Sequence, residues 1–128
     1  MTVYVETDFL LAFAKDTDWL QDSAGDALVE YDVETSPFSY LELLFARERY
    51  EFDYVPLVAN LLELVPVQND EETQVVLKAV NYYNEGMTAF DAFHAATAET
   101  RGMDVLSSGK DYKDSEVSRM PLEPDHEK

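Results

Sequence analysis

Cysteine is absent from the 128 residues, so neither a disulfide framework nor a thiolate zinc site can organise the fold, and redox chemistry gives no reading of compartment. No apolar run approaches the roughly 20 residues of a membrane span, and the N-terminus lacks the basic, apolar and small-residue succession of a secretory signal. The expectation is a soluble, cytoplasmic protein without a membrane partner. Glycine is scarce, with four residues, and nowhere do they form a Gly-rich phosphate loop, which argues against a nucleotide-binding motif. Basic residues are few as well: nine Lys and Arg stand against 27 Asp and Glu, a net charge of −18. Such a surface repels itself and repels nucleic acid in dilute salt. It suits either a basic partner or a halophilic, salt-rich cytoplasm in which screening acts over only a few ångströms. The acids are scattered along the chain instead of forming one tail, which favours the second explanation and makes the charge a solvation feature first.

What is present is a hydrophobic fraction of 46%, enough for one domain with a sizeable core and too short a chain for two. That domain is expected over residues 1–122, with 123–128 as a polar tail that frays. Val3-Tyr4-Val5 reads as a buried central strand ending in Glu6-Thr7-Asp8, and Phe9 to Ala14 as a helix capped by Thr7 or Asp8. A second helix starts at Asp16-Thr17-Asp18 and runs through Trp19 and Leu20 to near Tyr31. Val33-Glu34-Thr35 is a second strand, and Ser36-Pro37 opens a third helix with a cap followed by proline at its first position. Glu42 stands among the apolar residues of that helix, where a buried carboxylate is expensive unless paired. An ion pair with Arg49, two turns on, is one way to satisfy it; Arg47 is poorly aligned. A helix from Asp53 to Leu64 precedes Val65-Pro66-Val67, a short strand or edge, and Asn69 caps a longer helix ending at Asn84. Asp104 to Ser107 is a further parallel strand, the loop Ser108 to Asp114 lies at its carboxyl end, and Val117 to Leu122 is a last edge strand.

The helix Met87 to Glu99 carries one carboxylate, Asp91, among small and apolar residues between Gly86 and Gly102. Thr88 and Asp91 have the spacing of a capping box, and capping is the plain explanation of the acid. Its neighbours in the fold suggest more. Strands alternating with helices predict an α/β protein whose mainly parallel sheet of four to five strands is covered on both faces. Carboxylates then recur at one rim of that sheet: Glu6 and Asp8 after the first strand, Glu42 after the second, Asp91 before the fourth and Asp111 after it. Acids converging without equal numbers of bases repel by several kcal/mol, so a cation is their natural partner. Oxygen ligands without Cys and with little His select Mg2+ or Mn2+, and such ions suit phosphodiester hydrolysis. His94, one turn after Asp91, reads as a packed helix residue.

In this order and spacing the motifs resemble the PIN domain family, and within it the single-domain VapC-type toxin ribonucleases, over nearly the whole chain. Val3 to Leu11 is similar to the family's strand ending in Asp-Thr-Asn, Ser36 to Leu43 to its Ser/Thr-led helix with a Glu, Met87 to Ala98 to its third motif, and Val105 to Tyr112 to its Thr-x-Asp-x-Asp-Phe loop. Two positions depart: Glu6 stands where the family has its first Asp, and Gly109 where it has the first Asp of the last motif. The resemblance implies a three-layer PIN-like fold and a Mg2+- or Mn2+-dependent endoribonuclease. Glu6 or Asp8, Glu42, Asp91 and Asp111 would bind metal and position water, with Ser107, Ser108 and Lys110 placing the substrate. It also implies RNA as substrate, a homodimer and a cognate antitoxin protein. The alternative is a PIN-like scaffold, weakened at Gly109, that binds a protein partner. A phospho-acceptor receiver domain fits poorly, because Val65-Pro66-Val67 is followed by Gln68-Asn69 where an acceptor Asp belongs.

Overall fold

A computed structural model of the chain describes residues 1–15, 19–47, 52–107 and 117–122. The elements run β1 (Thr2–Tyr4), α1 (Thr7–Ala14), α2 (Gln21–Glu30), β2 (Asp32–Glu34), α3 (Pro37–Ala46), α4 (Tyr54–Leu64), α5 (Asp70–Asn84), α6 (Ala89–Thr100), β3 (Val105–Ser107) and β4 (Arg119–Pro121). β1 and β2 are parallel with Val3 opposite Val33, and a bond from the Val5 N–H to the Glu34 carbonyl at 2.9 Å extends the ladder. β3 and β4 are parallel with Leu106 opposite Met120. Hydrogen bonding therefore groups the described strands as two two-stranded sheets, where the sequence suggested one sheet of four to five. Val3, Val5 and Val105 nevertheless pack against a common core.

Two strand expectations change. β1 is not buried through its length: Thr2 and Tyr4 are exposed and only Val3 turns inward. Val65-Pro66-Val67 forms no ladder, since proline has no N–H to donate; its tie to β2 is the Thr35 N–H on the Pro66 carbonyl at 2.9 Å. The second helix also begins later than expected, at Gln21, with Trp19 exposed and Asp16 to Asp18 outside the described residues.

The core lies between α1, α3, α4, α5 and α6, with Leu10, Tyr40, Leu43, Leu44, Val58, Leu61 and Val76 at its centre. α5 and α6 make the most extensive helix pairing. Ala92, Ala95 and Ala96 of α6 are fully buried, and small residues let its backbone approach the Val75, Val76, Ala79 and Val80 face of α5. Both helices end on glycines with positive φ, Gly86 at 113° and Gly102 at 67°. In each case the following N–H reaches back to close a Schellman motif, Met87 to the Tyr82 carbonyl at 3.1 Å and Met103 to the Ala98 carbonyl at 2.8 Å. The α5–α6 turn so fixed sets where the start of α6, with Thr88 and Asp91, meets α3.

Tyr40 anchors α3 from inside: fully buried, it donates its hydroxyl to the Val65 carbonyl at 2.7 Å. Burial holds its phenol well above the ordinary value of 10.0. The folded state therefore keeps Tyr40 neutral while the unfolded chain ionises, so this contribution is whole below pH 10.0 and is lost as pH rises above it. Tyr40→Phe is expected to cost about 1 kcal/mol at neutral pH, for the lost bond, yet to flatten the alkaline fall in stability by about 1.4 kcal/mol per pH unit. Urea unfolding of both proteins across the alkaline range measures this.

Candidate active site at the carboxyl ends of β1 and β2

Because β1 and β2 are parallel and in register, Tyr4 against Glu34, the chain leaves both strands at the same edge. Ligand crevices of parallel α/β sheets form there. From β1 it passes through extended Glu6 into α1 (φ −92°, ψ 178°), with Thr7 as the first helical residue. From β2 it passes through Thr35 and extended Ser36 into α3 (φ −122°, ψ 164°), with Pro37 at its first turn. The two helix starts are thereby set side by side.

Their side chains interlock. Thr7 donates its hydroxyl to Glu42 Oε1 at 2.7 Å, across 35 residues of sequence. Behind that bond Thr35 and Ser39 are buried at 3% and 2% exposure. Thr35 Oγ1 lies 2.7 Å from both the Val5 carbonyl and Ser39 Oγ. A carbonyl only accepts, so the Thr35 hydrogen goes to Val5 and Ser39 donates to Thr35. In front, the Tyr4 hydroxyl meets Ser36 Oγ at 2.7 Å and Ser39 Oγ at 3.5 Å. The Ser36 bond, then the Ser39 bond, hold the Tyr4 phenol below its ordinary value of 10.0, against the opposing burial and the Glu42 charge.

These contacts correct several expectations. Neither Thr7 nor Asp8 caps α1: Glu6 occupies the cap position without a side-chain bond, and Thr7 is spent on Glu42. Ser36 sits at the cap of α3, but its side chain caps nothing and binds Tyr4 instead. Glu42 is not buried; it is exposed, and Thr7 donates to it. Arg49 lies outside the described residues, and Arg47 ends α3 with its guanidinium 4.5 Å above the Tyr54 ring.

At the start of α6 the expected cap is present: Thr88 Oγ1 accepts from the Asp91 N–H at 3.2 Å. Asp91 is half-buried and His94 exposed. This end of α6 meets α3 where Phe90 packs edge-on against Phe45, centroids 5.7 Å apart at 68°, one residue before Asp91 and three after Glu42. Glu6 and Asp8 are exposed on either side of Thr7, and Ser107 closes β3, half-buried. Ser108, Gly109, Lys110, Asp111 and Asp114 lie outside the described residues. Among the described residues no three of His, Cys, Asp and Glu stand together as an ion would need; Thr7 and Glu42, joined at 2.7 Å, are hard oxygens of the kind Mg2+ and Mn2+ accept. Sequence reasoning missed Thr7, Thr35, Ser39 and Tyr4. The cue it had was the Thr between Glu6 and Asp8 and the Thr-Ser pair before Pro37.

No helix among the described residues is long and apolar enough to cross a membrane. A comparison with curated proteins finds no match. A comparison with protein families matches residues 3–116 to the PIN domain, generally a metal-dependent nuclease fold. The match takes in both strand ends, the Thr7–Glu42 contact and the capped start of α6, and it covers most of the sequence: the chain belongs to the PIN domain family.

Proposed function

We propose that the chain is a Mg2+- or Mn2+-dependent endoribonuclease of the VapC type, acting at the joined ends of β1 and β2. The observation that carries this reading is the 2.7 Å bond from Thr7 to Glu42. It fixes one oxygen of an exposed carboxylate at a parallel-strand edge, and a hydroxyl that orients a ligand carboxylate is what a metal site needs around it. Glu42, Asp91 and either Glu6 or Asp8 would hold the ion, with Asp111 completing the set and Ser107, Ser108 and Lys110 placing the phosphate. A bound ion of this kind polarises the phosphodiester and lowers the pKa of the attacking water. The chain's own part is to orient: Thr7 fixes Glu42, and Thr88 fixes the first turn of α6 on which Asp91 rides. We further propose a domain over residues 1–122 with a tail at 123–128, a mainly parallel sheet of four to five strands, a homodimer, a cytoplasmic location, and inhibition by an antitoxin whose basic segment answers the net charge of −18.

The test is cleavage of single-stranded RNA by the purified chain with Mn2+, in salt high enough to screen its charge. Wild type is expected to cut, chelation to stop it, and Asp91→Asn to lower the rate about 100-fold or more. No cutting by wild type, with Asp91→Asn behaving the same, would leave a scaffold weakened at Gly109 as the better account; equal cutting by both would remove Asp91 from the site.

A further inference from the structure

The apolar residues of α3 do not all serve the core. Tyr40, Leu43 and Leu44 do, but Phe38 and Phe45 are 63% and 54% exposed. They lie on one helical stripe with Glu42 between them, at spacings of four and three residues that share a face. Phe90, 53% exposed, continues the stripe onto α6 through its edge-on contact with Phe45 and immediately precedes Asp91. The carboxylate that Thr7 holds thus stands within a row of exposed aromatic rings, and exposed apolar groups gathered at a polar site mark a contact surface. Phosphate neutralisation is a poor source of affinity here: the chain has nine Lys and Arg and a net charge of −18, and high salt weakens phosphate contacts further. Stacking of bases on aromatic faces does not depend on that charge.

We propose that Phe38, Phe45 and Phe90 are a stacking platform for the bases of single-stranded RNA on either side of the phosphodiester presented to Glu42. The proposal rests on the ribonuclease reading above and names how its substrate is held. Phe38 and Phe45 are separated by about 10 Å along the helix, room for about three bases at a 3.4 Å stacking step. Bases flanking one phosphate fit that span.

The test is fluorescence anisotropy of the full chain, in chelator to prevent cutting, with two labelled probes: a short single-stranded RNA and an oligomer of the same backbone and charge lacking its bases. Wild type is expected to bind the RNA at least about ten-fold more tightly than the abasic oligomer. Phe38→Ala and Phe90→Ala each lower RNA affinity about ten-fold, leave abasic binding unchanged, and are rescued by Tyr at the same position, which preserves the ring. Circular dichroism confirms that each variant is folded. Unchanged RNA affinity in both Ala variants overturns the platform, as does dissociation of a dimer by them in sedimentation, which would assign this face to a protein contact. Equal binding of the two probes by a chain that still cuts RNA overturns the platform alone. Failure of wild type both to bind and to cut overturns the ribonuclease reading with it.

Discussion

Glu42→Gln is expected to lower Mn2+-dependent RNA cleavage by about 100-fold or more while leaving the melting temperature nearly unchanged. The side chain is exposed, so the substitution alters no packing and its effect on stability is within about 0.5 kcal/mol. The variant keeps the shape of the acid and removes the negative oxygen that Thr7 orients. Thr7→Val separates orientation from charge. It retains Glu42 but takes away the hydroxyl at 2.7 Å, and a lost orienting partner is expected to cost about 10- to 100-fold. Thr7→Ser should recover most of that, since the donor returns and only a methyl group is missing. Turnover rates of the four proteins on one RNA substrate decide the point. A Thr7→Val rate equal to wild type would make the bond incidental.

The second large effect is on stability and comes from one hydroxyl. Thr35→Val preserves shape at a site with 3% exposure but strands the Val5 carbonyl and takes from the Ser39 hydroxyl its 2.7 Å partner, leaving it only Tyr4 at 3.5 Å. The loss is expected to cost about 2 kcal/mol. That corresponds to a fall in melting temperature on the order of 10 °C for a domain of this size. Calorimetry measures it. Thr35→Ser, which keeps the donor, should lose far less. The bonds also tie the end of β1 to the start of α3, so the Val variant is expected to loosen the edge on which Thr7 and Glu42 meet and to lose activity along with stability.

These contacts explain what was legible in the sequence. The start of α6 was readable because capping is local: Thr88 and Asp91 are three residues apart, and their bond follows from helix geometry. The ends of α5 and α6 were readable for the same reason, since a glycine at positive φ stops a helix by itself. Glu42 looks buried in the sequence because α3 is apolar on opposite sides, Leu43 and Leu44 inward and Phe38 and Phe45 outward. A pattern without a polar face gives the helix no rotational phase. Thr7 and Ser36 look like caps in the sequence because their long-range partners, 35 and 32 residues away, are set by the register of β1 on β2, which local propensity does not encode. Val65-Pro66-Val67 forms no ladder for a local reason, the missing N–H of Pro66. That carboxylates recur beside the strand ends was legible as a pattern in the sequence. The structure supplies the Thr7–Glu42 contact and the α3–α6 packing beside Asp91, while Asp111 lies outside the described residues.

Glu42 and Asp91, from different helices, are proposed to serve one ion. Calorimetric titration of the folded chain with Mn2+, in wild type, Glu42→Gln and Asp91→Asn, tests this most directly. Wild type is expected to show a site-specific binding event that both substitutions weaken at least about 10-fold. An event that survives either substitution undiminished would contradict the shared ion.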